Sequence, residues 1–108
     1  MKTEAAEYLA KARECLDAAK KIAAVGLPQV AAKKGYLAAY HAAHAFVFEN
    51  TGQVVKTHSG MRAVFARLAK DDSRIDRRFT SFLAQAYTFK EVADSLRAFI
   101  FISAATWK

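Results

Sequence analysis

Tyrosines, histidines and a lysine recur at helical spacing in the middle of the chain. Tyr36, Tyr40 and His44 follow one another every four residues, so in a helix they lie on one face. Lys34 and His41, seven residues apart, lie on a neighbouring face. Lysine binds phosphate, imidazole transfers protons near neutral pH, and a tyrosine ring stacks on a base. The simpler alternative is that the tyrosines pack in the core and the histidines bond neighbouring carbonyls.

A second candidate site is the segment 56–60, which reads Lys-Thr-His-Ser-Gly. Thr57 or Ser59 can cap a helix that begins here. Amides exposed at a helix N-terminus attract anions, and the side chains of Lys56 and His58 would strengthen that attraction. The segment is therefore either an anion site or an ordinary capping turn.

Several familiar chemistries lack their residue sets. His41 and His44 are spaced like a metal pair, but no cysteine pair or nearby carboxylate completes the three or four ligands that zinc needs. Cys15, the single cysteine, falls on an apolar stripe, and no serine stands in a glycine-flanked elbow. The glycine-rich loops that cradle phosphates in nucleotide enzymes are also absent. We therefore expect neither a metal nor a cofactor.

Helices must position these residues, because alanine is abundant and apolar residues recur at helical spacing. The first helix has Thr3 as its predicted N-cap and ends at the turn 26–28, Gly-Leu-Pro. The second should run over about 28–50 at the centre of the bundle, since its middle is the most apolar part of the chain. The third follows the 56–60 junction, carries an apolar face that reaches Leu68, and is broken at residues 70–73, Lys-Asp-Asp-Ser. The stripe of the first helix consists of Ala5, Leu9, Ala12, Leu16, Ala19 and Ala23.

The remaining residues carry another apolar helical pattern, over about 75–100, with Asp72 or Ser73 as its cap. The pattern fits one long helix, or two helices with a kink around 87–90. No strand signal, repeat or linker is present. The prediction is a single all-α domain over residues 1–108, an antiparallel up-and-down bundle of four to five helices.

The formal net charge is +7, from 17 basic and 10 acidic residues. This excess attracts polyanions such as nucleic acids, although basic proteins with other partners are common. The N-terminus lacks the apolar segment of a signal peptide, and no apolar run approaches the roughly 20 residues that cross a bilayer. With no internal disulfide possible, the composition predicts a cytoplasmic protein without a membrane partner.

Three segments together resemble the small prokaryotic HEPN-domain proteins. Residues 34–43, Lys-Gly-Tyr-Leu-Ala-Ala-Tyr-His-Ala-Ala, are similar to that family's Arg-x-Tyr-Tyr-Ala-Ala-Phe-His-Ala-Ala signature. Residues 56–60 match its Lys-Thr-His-Ser-Gly junction, and residues 90–95, Lys-Glu-Val-Ala-Asp-Ser, are similar to its Arg-Glu-x-Ala-Asp-Tyr element. The resemblance implies an antiparallel helical bundle that is often homodimeric. It also implies pairing with a minimal nucleotidyltransferase in a toxin–antitoxin system, and many members cleave RNA.

The sequence departs from the family at its catalytic positions. HEPN ribonucleases carry Arg, four to six residues and then His near their final helices, and this chain has no such pair. The family arginines are replaced by Lys34 and Lys90, and the tyrosine after Asp94 is replaced by Ser95. Lysine keeps the positive charge but loses the planar fork that binds phosphate through two hydrogen bonds.

The first functional hypothesis is a HEPN-like module that binds a nucleotide, RNA or a nucleotidyltransferase partner. It would be the toxin-type component of such a pair, without the usual ribonuclease motif. The candidate binding residues are Lys34, Tyr40, His41, His44, Lys56, His58, Lys90 and Asp94. Of these, we expect bundle packing to gather Lys34, His41, His58, Lys90 and Asp94 into one basic groove. A second hypothesis is a metal-independent ribonuclease toxin in which His41 or His58 transfers a proton. A third is a structural helical adaptor.

Overall fold

The computed structural model describes residues 1–73 and residue 75. Within these residues the chain forms three helices, α1 (Thr3–Ala24), α2 (Pro28–Thr51) and α3 (His58–Ala69), and no strand. This confirms the predicted helical class and agrees closely with the predicted helix bounds. The further helices predicted after Ser73 fall outside the described residues.

Local signals set both ends of α2. Pro28 is its first residue, as its fixed φ angle favours, and Gly26 in the preceding turn has a φ of 84°. At the other end Gly52 has a φ of 70°, and its N–H donates to the carbonyl of Phe48 at 2.7 Å. The short turn before Pro28 makes α1 and α2 antiparallel neighbours.

The start of α1 differs from the prediction. Lys2 occupies the N-cap position, and Thr3 is the first residue of the helix. The backbone N–H of Lys2 donates to Glu49 Oε1 at 2.7 Å, and its ammonium donates to the Glu49 carbonyl at 2.8 Å. The prediction of a Thr3 cap was wrong because a contact with the end of α2 fixes the first turn of α1, and local sequence does not encode that contact.

The core lies between α1 and the middle of α2, and α3 closes it on one side. Cys15 is a free thiol inside this core, as predicted. Phe46 of α2 and Phe65 of α3 pack edge to face with ring centroids 5.5 Å apart. Small side chains let the helices approach closely; the buried alanines are Ala5, Ala12, Ala19, Ala31, Ala38, Ala39, Ala42, Ala43, Ala45 and Ala69. In the described part of the chain, no helix has both the length and the apolar character that a membrane crossing requires.

Candidate functional site

The junction at residues 56–60 forms a capped helix start. Thr57 is the N-cap of α3, and its hydroxyl oxygen accepts a hydrogen bond from the Gly60 N–H at 3.0 Å. His58 is therefore the first residue of α3, and its side chain is exposed. Of the two predicted caps, Thr57 is the one used, so the junction is a capping turn. Its use as an anion site stays a prediction.

We expect Gly60→Ala to disrupt this capping turn. A Cβ at Gly60 would lie 2.6 Å from Thr57 Oγ1 and 3.1 Å from Val55 Cγ1, so the capping hydroxyl would have to move. Loss of the cap should destabilise the protein by about 1–2 kcal/mol, measured by urea unfolding followed by circular dichroism. Thr57→Ala removes the crowded hydroxyl, so in that background Gly60→Ala should cost much less. Fully additive effects would contradict this account.

Four rings from three helices form a continuous row, which we call the aromatic row: Tyr8 of α1, His44 and Tyr40 of α2, and His58 of α3. Tyr8 stacks on His44 with centroids 4.4 Å apart. Tyr40 meets His44 edge to face at 5.7 Å and stacks on His58 at 4.2 Å, with 24° between the two planes. Such pairs stabilise beyond the area they bury, so the row joins all three helices.

Exposure changes along the aromatic row. Tyr40 is 9% exposed and His44 is 7% exposed, so the part of the row on α2 lies inside the protein. The row reaches solvent at His58. Of the row's members on α2 and α3, His58 is thus the ring that a ligand can contact directly, and Tyr40 and His44 support it from beneath.

The aromatic row brings two of the three motif segments together. Residues 34–43 and 56–60 are separated in sequence, but the contact of Tyr40 with His58 joins them in space. The third segment, 90–95, lies outside the described residues, and with it the predicted site residues Lys90 and Asp94.

The two histidines of α2 have buried nitrogen atoms without hydrogen-bond partners. Among the described residues, nothing bonds His41 Nδ1 or His44 Nε2, so the expected bonds to neighbouring carbonyls are not made at these atoms. Burial lowers the pKa of both imidazoles, and the charge of Lys11, together with His44 and Lys34, lowers the pKa of His41 further. Both rings are therefore neutral at pH 7, and the effect of Lys34 on His41 agrees with their predicted proximity.

A hydrogen bond joins a tyrosine of α2 to an arginine of α3. Arg62 donates a long hydrogen bond of 3.5 Å from its guanidinium to the hydroxyl of Tyr36. Burial, followed by the neighbouring Tyr36 and Tyr8, raises the pKa of Tyr40, while the charge of Arg62 opposes the rise. Tyr40 is therefore a neutral phenol at physiological pH. Arg62 is four residues after His58, so the two share one face of α3.

Sequence reasoning missed Tyr8, Lys11 and Arg62 as members of the site region. Arg62 could have been identified from the sequence, because its four-residue spacing from His58 places both residues on one face of a single helix. Tyr8 and Lys11 gave no comparable signal, because their relation to α2 depends on how two separate helices pack. Of the predicted residues, Lys56 is exposed next to the capping turn, and no group of three or more potential metal ligands occurs in the part of the chain that the structure describes.

Charge is distributed unevenly over the helices. Between Lys20 and Lys70 there are eight basic residues and a single acidic one, Glu49, whose carboxylate and carbonyl are bonded by Lys2. The acidic residues of α1 are Glu4, Glu7, Glu14 and Asp17. The surfaces of α2 and α3 are consequently basic, and this is where the exposed end of the aromatic row lies.

The chain matches a protein-family model. The HEPN domain family matches residues 5–95, which include all three motif segments. Comparison with curated proteins and with solved structures gave no significant match. Because the matched region covers most of the chain, the protein belongs to the HEPN-domain family.

Proposed function

We propose that this chain is a HEPN-type module that binds RNA or a nucleotide on the basic surface of α2 and α3. Membership of the HEPN family indicates a nucleotide- or RNA-related module in general terms. The observation that carries the proposal is the stack of His58 on Tyr40 at 4.2 Å, because it holds an exposed imidazole in a fixed orientation among cations. A fixed, exposed ring beside positive charge is what base stacking and phosphate contact require.

The groups around His58 suit a phosphate with an attached base. The N-terminus of α3 presents the positive end of the helix dipole at His58, and Lys56 is exposed two residues earlier. Arg62 lies on the same face of α3 one turn later. Buried Tyr40 and His44 contribute by fixing the position of His58, and Lys34 and His41 extend the surface along α2.

His58→Ala should separate the binding role of this residue from its structural role. Loss of one stacking contact at an exposed position should lower stability by about 0.5–1.5 kcal/mol. Affinity for a fluorescein-labelled single-stranded RNA of about eight nucleotides should fall roughly tenfold, as measured by fluorescence anisotropy, since stacking on a base is worth 1–3 kcal/mol.

His58→Phe is the matched control, because it keeps a ring on Tyr40 but removes both nitrogens. If binding needs only stacking, His58→Phe should bind like the wild type; if the imidazole contacts phosphate, both variants should bind weakly. An unchanged affinity in both variants would remove His58 from the site. If the wild-type protein bound neither RNA nor a mononucleotide, the adaptor hypothesis would replace this one.

The partner proposal is that the chain acts as the toxin-type component of a pair with a minimal nucleotidyltransferase, and that it forms a homodimer in the cytoplasm. HEPN domains often form dimers, and the free, buried Cys15 fits a reducing compartment. The test is co-expression with a candidate nucleotidyltransferase encoded next to this gene. Co-purification, with mass analysis for bound nucleotide or an adenylylated tyrosine, would support the pairing; separate elution of both proteins would contradict it.

A second candidate function is metal-independent RNA cleavage, and one observation favours it. Tyr40 is in ring contact with both predicted proton-transfer residues, His41 at 6.2 Å and His58 at 4.2 Å. Attack by a 2′-hydroxyl needs a base and an acid on opposite sides of one phosphate, and neutral His41 can serve as a base. If purified protein at high concentration leaves labelled RNA intact and its expression does not slow growth, this candidate fails.

A further inference from the structure

The register between α1 and α2 is fixed at two points. Tyr8 stacks on His44 at 4.4 Å, and Lys2 bonds Glu49, so the numbers of facing residues on these antiparallel helices add to about 52. Three residues after Tyr8 on α1 is Lys11, and three residues before His44 on α2 is His41. Lys11 therefore faces His41 across the groove between the two helices.

Positive groups gather around His41. Lys11 is exposed, and Lys34 and His41 are half-buried. Lys11 and Lys34 both lower the pKa of His41 after burial has done so, and no carboxylate is among the groups that shift it. Glu7 and Glu14 lie one turn to either side of Lys11 on the same face of α1, but within the described residues neither makes an ion pair with it. An anion beside His41 would therefore be attracted by two lysines that no carboxylate bonds directly.

An orphaned polar atom lies in the same place. Nδ1 of His41 is buried and has no hydrogen-bond partner among the described residues. A buried nitrogen without a partner is uncommon in folded proteins and is often explained by an absent ion, water or ligand. The unpaired nitrogen and the two lysines near the same ring are separate observations, and together they point to His41 as the centre of a binding groove.

We propose that Lys11, Lys34 and His41 form a phosphate-binding groove between α1 and α2, in which Lys11 supplies a contact from outside the family motifs. This inference rests on the proposed function and specifies one of its contacts. The ligand group is a phosphate, either of an RNA backbone or of a mononucleotide. Lys11 and Lys34 hold its charge, and His41 becomes protonated as the anion binds and donates a hydrogen bond to it.

The test compares Lys11→Gln with Lys20→Gln. Both changes remove one positive charge from an exposed site on α1, but the two lysines are nine positions apart, which is two and a half turns, so they lie on opposite faces. For the single-stranded RNA, Lys11→Gln should weaken binding by about three- to tenfold and reduce the slope of log affinity against log salt by about 0.7. Lys20→Gln should change affinity by less than about twofold and leave the slope unchanged.

A parallel titration with ATP distinguishes the source of the phosphate. Weaker ATP binding by Lys11→Gln indicates a mononucleotide site, and an effect on RNA alone indicates the backbone. In the wild-type protein, the NMR titration of the His41 ring should move to higher pH when the ligand is bound. Equal effects of the Lys11 and Lys20 variants would overturn the groove while leaving the proposed function in place. Absence of any binding by the wild type would overturn both.

Discussion

Replacing Tyr40 with alanine should cost about 3–5 kcal/mol of folding free energy and weaken RNA binding by up to about tenfold, the loss expected for His58→Ala. Tyr40 is 9% exposed, and its ring lies between those of His44 and His58 at 5.7 and 4.2 Å. Its removal would leave a cavity between α2 and α3 and would release His58 from its fixed orientation. Small domains have about 5–15 kcal/mol of stability, so the loss would be a large fraction of the total. Urea unfolding followed by circular dichroism measures it.

Tyr40→Phe is the control, because it keeps the ring and removes only the hydroxyl. We expect it to stay within about 1 kcal/mol of the wild type and to keep His58 in place. It should also bind RNA normally, since the buried ring supports the site without contacting the ligand. If Tyr40→Ala were as stable as Tyr40→Phe, the ring would not join α2 to α3, and the argument for a fixed His58 would fail.

The parts of the fold that the sequence predicted are those with local causes. Pro28 and Gly52 act through their own backbone angles, so both ends of α2 followed from residue type. Thr3 has a side chain suited to capping, yet Lys2 holds the cap position because it bonds Glu49 of another helix. Packing between helices decides which residue takes the cap position. A single segment of sequence does not show that packing.

The same distinction between local causes and contacts between helices applies to the candidate site. Helical spacing alone placed Tyr40 and His44 on one face, and the structure finds their rings in contact. The expected common groove requires His58 to lie beside that face, and the stack of His58 on Tyr40 places it there. Tyr8 and Lys11 were not predicted because they depend on the register between α1 and α2. That register is fixed by the Tyr8–His44 stack and the Lys2–Glu49 bonds, which are contacts between two helices that no single segment of sequence predicts.

Burial of Tyr40 and His44 also changes how the motif is understood. A pattern of polar and aromatic residues on one face suggests a surface that meets ligand, but here the face lies against α1 and α3. The family motif therefore includes buried residues that hold the helices together and exposed residues that the proposed ligand can reach. Exposure separates them: His58 and Lys56 reach solvent, whereas Tyr40 and His44 do not.

Acidification from about pH 7 to pH 5 should lower the stability of the protein, and His44 should account for much of the loss. Burial lowers the pKa of His41 and of His44 in the folded state, so between the folded and unfolded pKa values the unfolded chain binds more protons. Unfolding is then favoured by protons. The stabilising contribution is fully present above the unfolded histidine pKa of about 6.5 and is lost as the pH falls through the folded value.

His44→Phe isolates this effect, because phenylalanine keeps a ring between Tyr8 and Tyr40 but cannot accept a proton. No hydrogen bond is lost at Nε2, since that atom has no partner among the described residues. The variant should match or exceed the wild type in stability at pH 7, and its melting temperature should fall less steeply between pH 7 and pH 5. His41, which titrates beside Lys11 and Lys34, should supply the remaining slope. If wild type and variant lost stability in parallel, protonation of His44 would not be what destabilises the bundle, and carboxylates elsewhere would have to explain the acid sensitivity.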